Sequence, residues 1–141
     1  MVAVPIFPKK DFISIEHILP QESNKECWNK NFKQFNDEQK KFLCNSLGNL
    51  LPLSKQKNSS LQNDCFSDKK VQKNGSIGYF NGSYGENEVA KNADWTPNDI
   101  LNRGLLLFSF LEKRWNVKLG SEDDKKKLLY LEFLQTLMGQ F

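Results

Sequence analysis

The sequence predicts an α+β domain, mostly helical, that carries a small two-stranded antiparallel hairpin. Three observations predict it. Residues Phe12 to Ile18 alternate as a strand does, with Ile13 and Ile15 on one face and Phe12 and Ile18 on the other. Leu50, Leu51 and Leu53 form a second short apolar segment, interrupted by Pro52 and suited to pair with the first. Much of the remainder carries the capping residues and apolar spacing of amphipathic helices.

In chain order, Met1 to Pro8 is apolar and proline-punctuated, an edge strand or the end of a linker, and it reads as the start of a domain excised from the C-terminal part of a larger protein. Pro20 closes the first strand. Glu22 to Phe35 is a helix capped by Ser23 or Asn24, with Trp28, Phe32 and Phe35 on one face. Asp37 to Ser46 is the next, with Asn36 and Gln39 as a capping box and Gly48 as its stop. Lys55 to Asn58 is a polar turn, after which Ser59 or Ser60 caps a helix to about Lys73. Residues 76–92, rich in Gly and Asn, form an ordered loop with one helical turn at Glu86–Lys91.

Thr96-Pro97-Asn98-Asp99 combines a cap, a proline at the first helical position and an acid at the third. It opens a helix whose face is Ile100, Leu107, Leu111 and Trp115, widened by Leu101 and Phe108. Ser121, followed by Glu122, Asp123 and Asp124, opens the last helix, with Leu128, Leu131, Leu134 and Leu137 as its buried stripe. The whole of 1–141 is one domain: 1–10 a linker or edge strand, 11–74 the core, and 75–141 a helical C-terminal part.

Composition excludes several classes. At 141 residues the chain suits one domain and can bury a core without disulfides or metal. Its 38% apolar and 26% charged residues do not describe a disordered chain. The longest apolar run, Leu105 to Leu111, contains Ser109 and is too short to cross a bilayer. No basic-then-apolar leader is visible, so a cytoplasmic location and no membrane partner are expected. Cys27, Cys44 and Cys65 are widely spaced, and there is one histidine. A structural zinc would need every one of them, so none is expected, and the thiols are read as reduced and mostly buried. The net charge of +3 points weakly to a polyanionic partner. Five lysines (55, 57, 69, 70, 73) stand against Asp64 and Asp68 in one short stretch.

The chemistry-bearing stretch is Ser14 to Gln21, which holds His17, the one histidine. Taken singly, His17 beside Glu16 is more often structural than catalytic. Taken in order, Glu16-His17-Ile18-Leu19-Pro20-Gln21, then Leu47-Gly48-Asn49-Leu50, then Asn58, then Asn63-Asp64-Cys65-Phe66-Ser67-Asp68-Lys69 resemble the HNH, or ββα-metal, nucleases. The acid–histidine pair with two later asparagines is similar to the HNH module of RNA-guided effector nucleases. The fuller resemblance is to the C-terminal HNH-like domain of GmrSD-type modification-dependent restriction enzymes. It continues through Tyr79, Ser83, Trp95-Thr96-Pro97 and Ile100-Leu101-Asn102-Arg103, and covers about residues 12–115. It departs where Pro52 stands among the leucines after Asn49.

The resemblance implies a ββα-metal core of two strands and a helix, and a DNA endonuclease acting in restriction of modified or foreign DNA. It implies His17 as the base that activates water and Asn49 as the residue that orients it or braces the loop. Glu16 and Asn58 become ligands of Mg²⁺, with Mn²⁺ as a substitute. The family's N-terminal nucleotide-binding domain becomes an expected partner. Lys57, Asn63 and Lys69 are candidate DNA contacts. The residue types suit this chemistry: imidazole titrates at about 6.5 when unperturbed, and carboxylate and carboxamide oxygens are hard ligands for Mg²⁺. One geometric demand follows. Neighbouring strand residues face opposite sides, so Glu16 and His17 serve one site only if the backbone turns between Ile15 and Pro20. A nucleic-acid-binding module without catalysis is the alternative. An assembly domain that docks a partner through Leu107, Leu111 and Leu134 is a third reading.

Overall fold

The computed structural model describes residues 12–71 and 78–134. The expected edge strand or linker at 1–10, the helix end near Lys73 and Leu137 lie outside them. The hairpin is present: β1 (Ile13–His17) pairs antiparallel with β2 (Leu50–Ser54), Glu16 opposite Leu51 and His17 opposite Leu50. The alternation works as the sequence requires. Ile13 and Ile15 are exposed, whereas Glu16 is buried. Pro52 lies opposite Ile15 in this two-stranded sheet, where an outer edge tolerates a missing N–H.

Between the strands run α1 (Glu26–Phe32) and α2 (Asp37–Asn45), then a 3₁₀ turn at Leu47–Asn49. Helix α1 is shorter than Glu22 to Phe35. Lys25 precedes it without a side-chain cap, and the Asn24 carbonyl instead accepts from the Asn29 side chain. The Asn36–Gln39 capping box of α2 forms as expected. Gly48 does not stop α2, which ends at Asn45. A Cβ at Gly48 would run into the Ile100 carbonyl, so glycine there allows close approach of the next long helix.

After β2 the expected single helix is two. Ser54, not Ser59 or Ser60, caps α3 (Lys55–Leu61) by accepting from the Lys57 N–H, so Lys55 to Asn58 is helix and not turn. Gln62 then takes φ 36°, which ends α3. The chain restarts as α4 (Phe66–Lys70). Next come a 3₁₀ turn at Tyr79–Asn81, α5 (Tyr84–Ala90) with a Ser83–Glu86 capping box, and α6 (Pro97–Trp115) with the expected Thr96–Asp99 box. Helix α6 buries Ile100, Leu101 and Gly104 but leaves Trp115 exposed. Helix α7 (Glu122–Leu128) has the Ser121–Asp124 box but ends early. Tyr130 turns to φ 60°, so Leu128 is exposed while Leu129, Leu131 and Leu134 enter the core.

One core runs through these elements, with Trp28, Phe32, Leu43, Leu51, Trp95 and Ile100 almost fully buried. Within it the three thiols are not all free. Cys27 of α1 and Cys65, just before α4, form a disulfide, and only Cys44 is a free thiol. That overturns the expectation of three reduced cysteines: their wide spacing is the span of a tertiary cross-link. The bond closes a loop of 38 residues of separation that contains α2, β2 and α3. Chain entropy alone assigns such a loop about 4 kcal/mol. The double substitution Cys27→Ser with Cys65→Ser should therefore lower unfolding free energy by about 2–4 kcal/mol in urea titration, and added reductant should have little further effect on the variant.

Candidate functional site

The site is built where β1 ends. His17 is the last residue of the strand and Ile18 accepts no further pairing from β2. Instead, the Ile18 N–H donates to the Asn49 carbonyl at 3.0 Å. The Asn49 side chain then continues the hairpin by imitation. Its Oδ1 accepts from the Leu19 N–H at 2.8 Å, and its Nδ2 donates to the Leu19 carbonyl at 3.0 Å and the Cys44 carbonyl at 2.8 Å. Trp95 Nε1 donates to the same Oδ1 at 3.0 Å. Asn49 is fully buried, and its carboxamide is saturated by these bonds. It braces the loop, the second of its two expected roles, and makes no bond to the imidazole. Arg103 holds the other side, donating to the Gly48 carbonyl at 2.9 Å and the Leu50 carbonyl at 2.7 Å.

His17 sits on the outer face with Ile13 and Ile15, partly exposed. Asn45 at the end of α2 presents Oδ1 to its Nε2 at 3.2 Å. With the proton on Nε2, the lone pair of Nδ1 is left to accept one. Glu16 points the other way, into the core, where its Oε1 meets Lys69 Nζ at 2.7 Å, both side chains almost wholly buried. Burial pushes the Glu16 carboxyl up and the Lys69 ammonium down, and the charge of each partner opposes that effect on the other.

The other expected site residues are also engaged. Asn58 on α3 donates to Ser14 Oγ at 2.8 Å and the Ile15 carbonyl at 3.1 Å. Together with Ser14, Lys55, Ser59, Gln62 and Asn63 it lines an open groove of about 450 Å³. Lys57 forms an ion pair with Glu86 and donates to the Gly78 carbonyl at 3.0 Å. Asn63 reaches the groove, and its carbonyl accepts from Trp28 Nε1.

The expected set is thus partly brought together. Asn58 and Asn63 share a groove, and Asn49 and Asn45 frame His17. Glu16 and His17 lie on opposite faces, and Glu16 bonds Lys69, not Asn58. Lys69 cannot touch DNA, because it is 0% exposed. Glu16 in this arrangement does not fit a Mg²⁺ ligand. One oxygen is held by an ammonium, and the other is buried without a partner. No group of three or more His, Cys, Asp or Glu among the described residues is placed to hold a cation.

Sequence reasoning gave no role to Asn45, Trp95 or Arg103. Trp95 and Arg103 stand inside the stretches that carry the resemblance, and both secure the Asn49 segment. Asn45 had no sequence signal, since its task is set by where α2 ends.

A model of the C-terminal domain of GmrSD restriction endonucleases matches residues 5–110. No curated protein and no solved structure matches the chain.

Proposed function

Because this chain belongs to the family of C-terminal domains of GmrSD restriction endonucleases, we propose that it hydrolyses phosphodiester bonds of DNA, with His17 as the general base. The observation that carries the reading is the imidazole itself. It stands at the end of β1 of a strand–strand–helix unit, partly open to solvent, with Nε2 tied to Asn45 and Nδ1 free for a water. The groove beside the same hairpin is also lined by Gln62 and Asn63, whose carboxamides suit sugar or phosphate oxygens. Lys57 and Lys69 leave the set of DNA contacts, since the protein itself uses both.

The substrate class is modified or foreign DNA, including phage DNA, and a nucleotide-binding N-terminal domain is the proposed partner in the same polypeptide. Mg²⁺, or Mn²⁺ in its place, is the cofactor the resemblance implies. Glu16, held by the Lys69 ammonium, does not serve as its ligand. A cytoplasmic location belongs to the same reading. The Cys27–Cys65 bond stands against it, because a reducing cytoplasm opens such bonds. No helix among the described residues is long and apolar enough to cross a membrane.

Plasmid and modified phage DNA, incubated with the chain alone and joined to its N-terminal domain, should be nicked or linearised in Mg²⁺ or Mn²⁺ and left intact in EDTA. DNA left intact by both forms in both metals overturns the nuclease reading. Salt-dependent binding without cutting would then favour the inactive DNA-binding module, which the internal engagement of Glu16, Lys57 and Lys69 also suits.

A further inference from the structure

We propose that Lys69 is the positioning residue of His17, and that Glu16 serves Lys69 rather than a metal ion. This rests on the nuclease reading for its kinetic consequences but not for its geometry. Lys69 Nζ has three hydrogens, and all three are placed: Glu16 Oε1 at 2.7 Å, the His17 carbonyl at 3.1 Å and the Ile18 carbonyl at 3.0 Å. Successive carbonyls of a regular strand point to opposite edges of the sheet. Two neighbours that converge on one ammonium mean that the chain leaves the extended form at His17–Ile18. The chain thus turns only after His17, where Lys69 gathers the two carbonyls, and this is too late to bring Glu16 and His17 onto one face.

The grip is buttressed on every side. Helix α4 carries Lys69 four residues after Cys65, which is bonded to Cys27 of α1. The next residue of α1, Trp28, has its ring 5.9 Å from Nζ and its Nε1 bonded to the Asp64 carbonyl. Asn49 fixes Leu19 beyond the turn. Held from both sides, the His17 backbone has one orientation, and the imidazole is aimed at the outer face toward Asn45. The function of Glu16 is to let an ammonium exist in that interior, since a buried charge requires a partner.

The experiment compares the parent with Lys69→Met, Glu16→Gln and the double variant, which removes both charges together. The double variant should fold, by circular dichroism and urea titration, better than Lys69→Met, in which the Glu16 carboxylate is stranded. Its kcat for DNA should fall on the order of 100-fold, the cost of a reacting group misplaced by about an ångström, with KM and the Mg²⁺ concentration for half-maximal rate unchanged. His17 is the one histidine, so its ring carbons give one set of NMR signals. These should shift and broaden in the folded double variant. Lys69→Arg should not restore them, because a planar fork does not reproduce three converging bonds from a point charge.

Parental His17 signals in a folded double variant overturn the proposal, as do parental kcat values. A raised KM with a shallower salt dependence would return Lys69 to the DNA contacts. A raised Mg²⁺ requirement in Glu16→Gln would return Glu16 to the metal. If the parent itself cuts no DNA, the nuclease reading fails and the NMR comparison alone decides the positioning role.

Discussion

His17→Ala should lower the rate of DNA cleavage about 10²–10⁴-fold, the range that a positioned general base contributes, and should barely change stability. The second half of that expectation follows from the environment of the side chain. The imidazole is on the outer face, and among the described residues its side-chain bond is to Asn45 at 3.2 Å. Substitutions at such positions usually stay within about 0.5 kcal/mol. The measurement is a supercoiled-plasmid time course beside a urea titration of the same preparations. Parental cutting by a correctly folded His17→Ala protein would remove the base from the mechanism. A large loss of stability would leave the rate uninterpretable and would mean that the ring packs more tightly than its exposure implies.

Asn49→Ala should behave in the opposite way, destabilising the fold by about 3–5 kcal/mol. The truncation removes the side-chain partner of the Leu19 N–H, Trp95 Nε1–H and the Cys44 carbonyl at a fully buried position, and leaves the Leu19 carbonyl with Cys44 Sγ. Each buried group left unpaired costs about 1–3 kcal/mol, with partial relaxation among neighbours. Denaturant midpoints of the parent and Asn49→Ala decide this. Unchanged stability with lost cutting would mean that Asn49 acts in the chemistry, contrary to its four internal bonds. Trp95→Phe offers a milder check, because it removes one donor and keeps the ring volume.

The contrast between these two residues shows what a sequence can carry. Local signals were readable. The capping boxes at Asn36 and Thr96 formed where side chains three residues apart predicted them, the acidic first turn after Ser121 marked the start of α7, and the apolar alternation before Glu16 marked β1. The resemblance drew together His17 and two asparagines, of which Asn49 lies behind the end of β1 and Asn58 sits in the groove with Asn63. What failed was any inference that needed knowledge of depth. Lys69 stands in a lysine-rich stretch that reads as a solvated helix face, yet it is among the most buried side chains. Periodicity cannot reveal this, because the cause is a carboxylate 53 residues earlier. The Cys27–Cys65 bond is hidden for the same reason. The split between α3 and α4 was missed on other grounds: Ser59 and Ser60 looked like the caps, whereas Ser54 caps α3 and the positive φ of Gln62 ends it. In the last segment, the leucine stripe continued on paper while Tyr130 redirected the backbone.

The reach of Arg103 bears on the order in which the parts of the fold are secured. Its guanidinium ties the carbonyls of Gly48 and Leu50, more than 50 residues upstream, and Trp95 reaches back to Asn49 in the same way. A chain that stops after α3 holds the whole hairpin but neither of the two residues that lock the loop behind His17. Contacts so distant in sequence form late and slowly. The loop behind His17 is therefore set last, only once α6 is in place to supply Arg103.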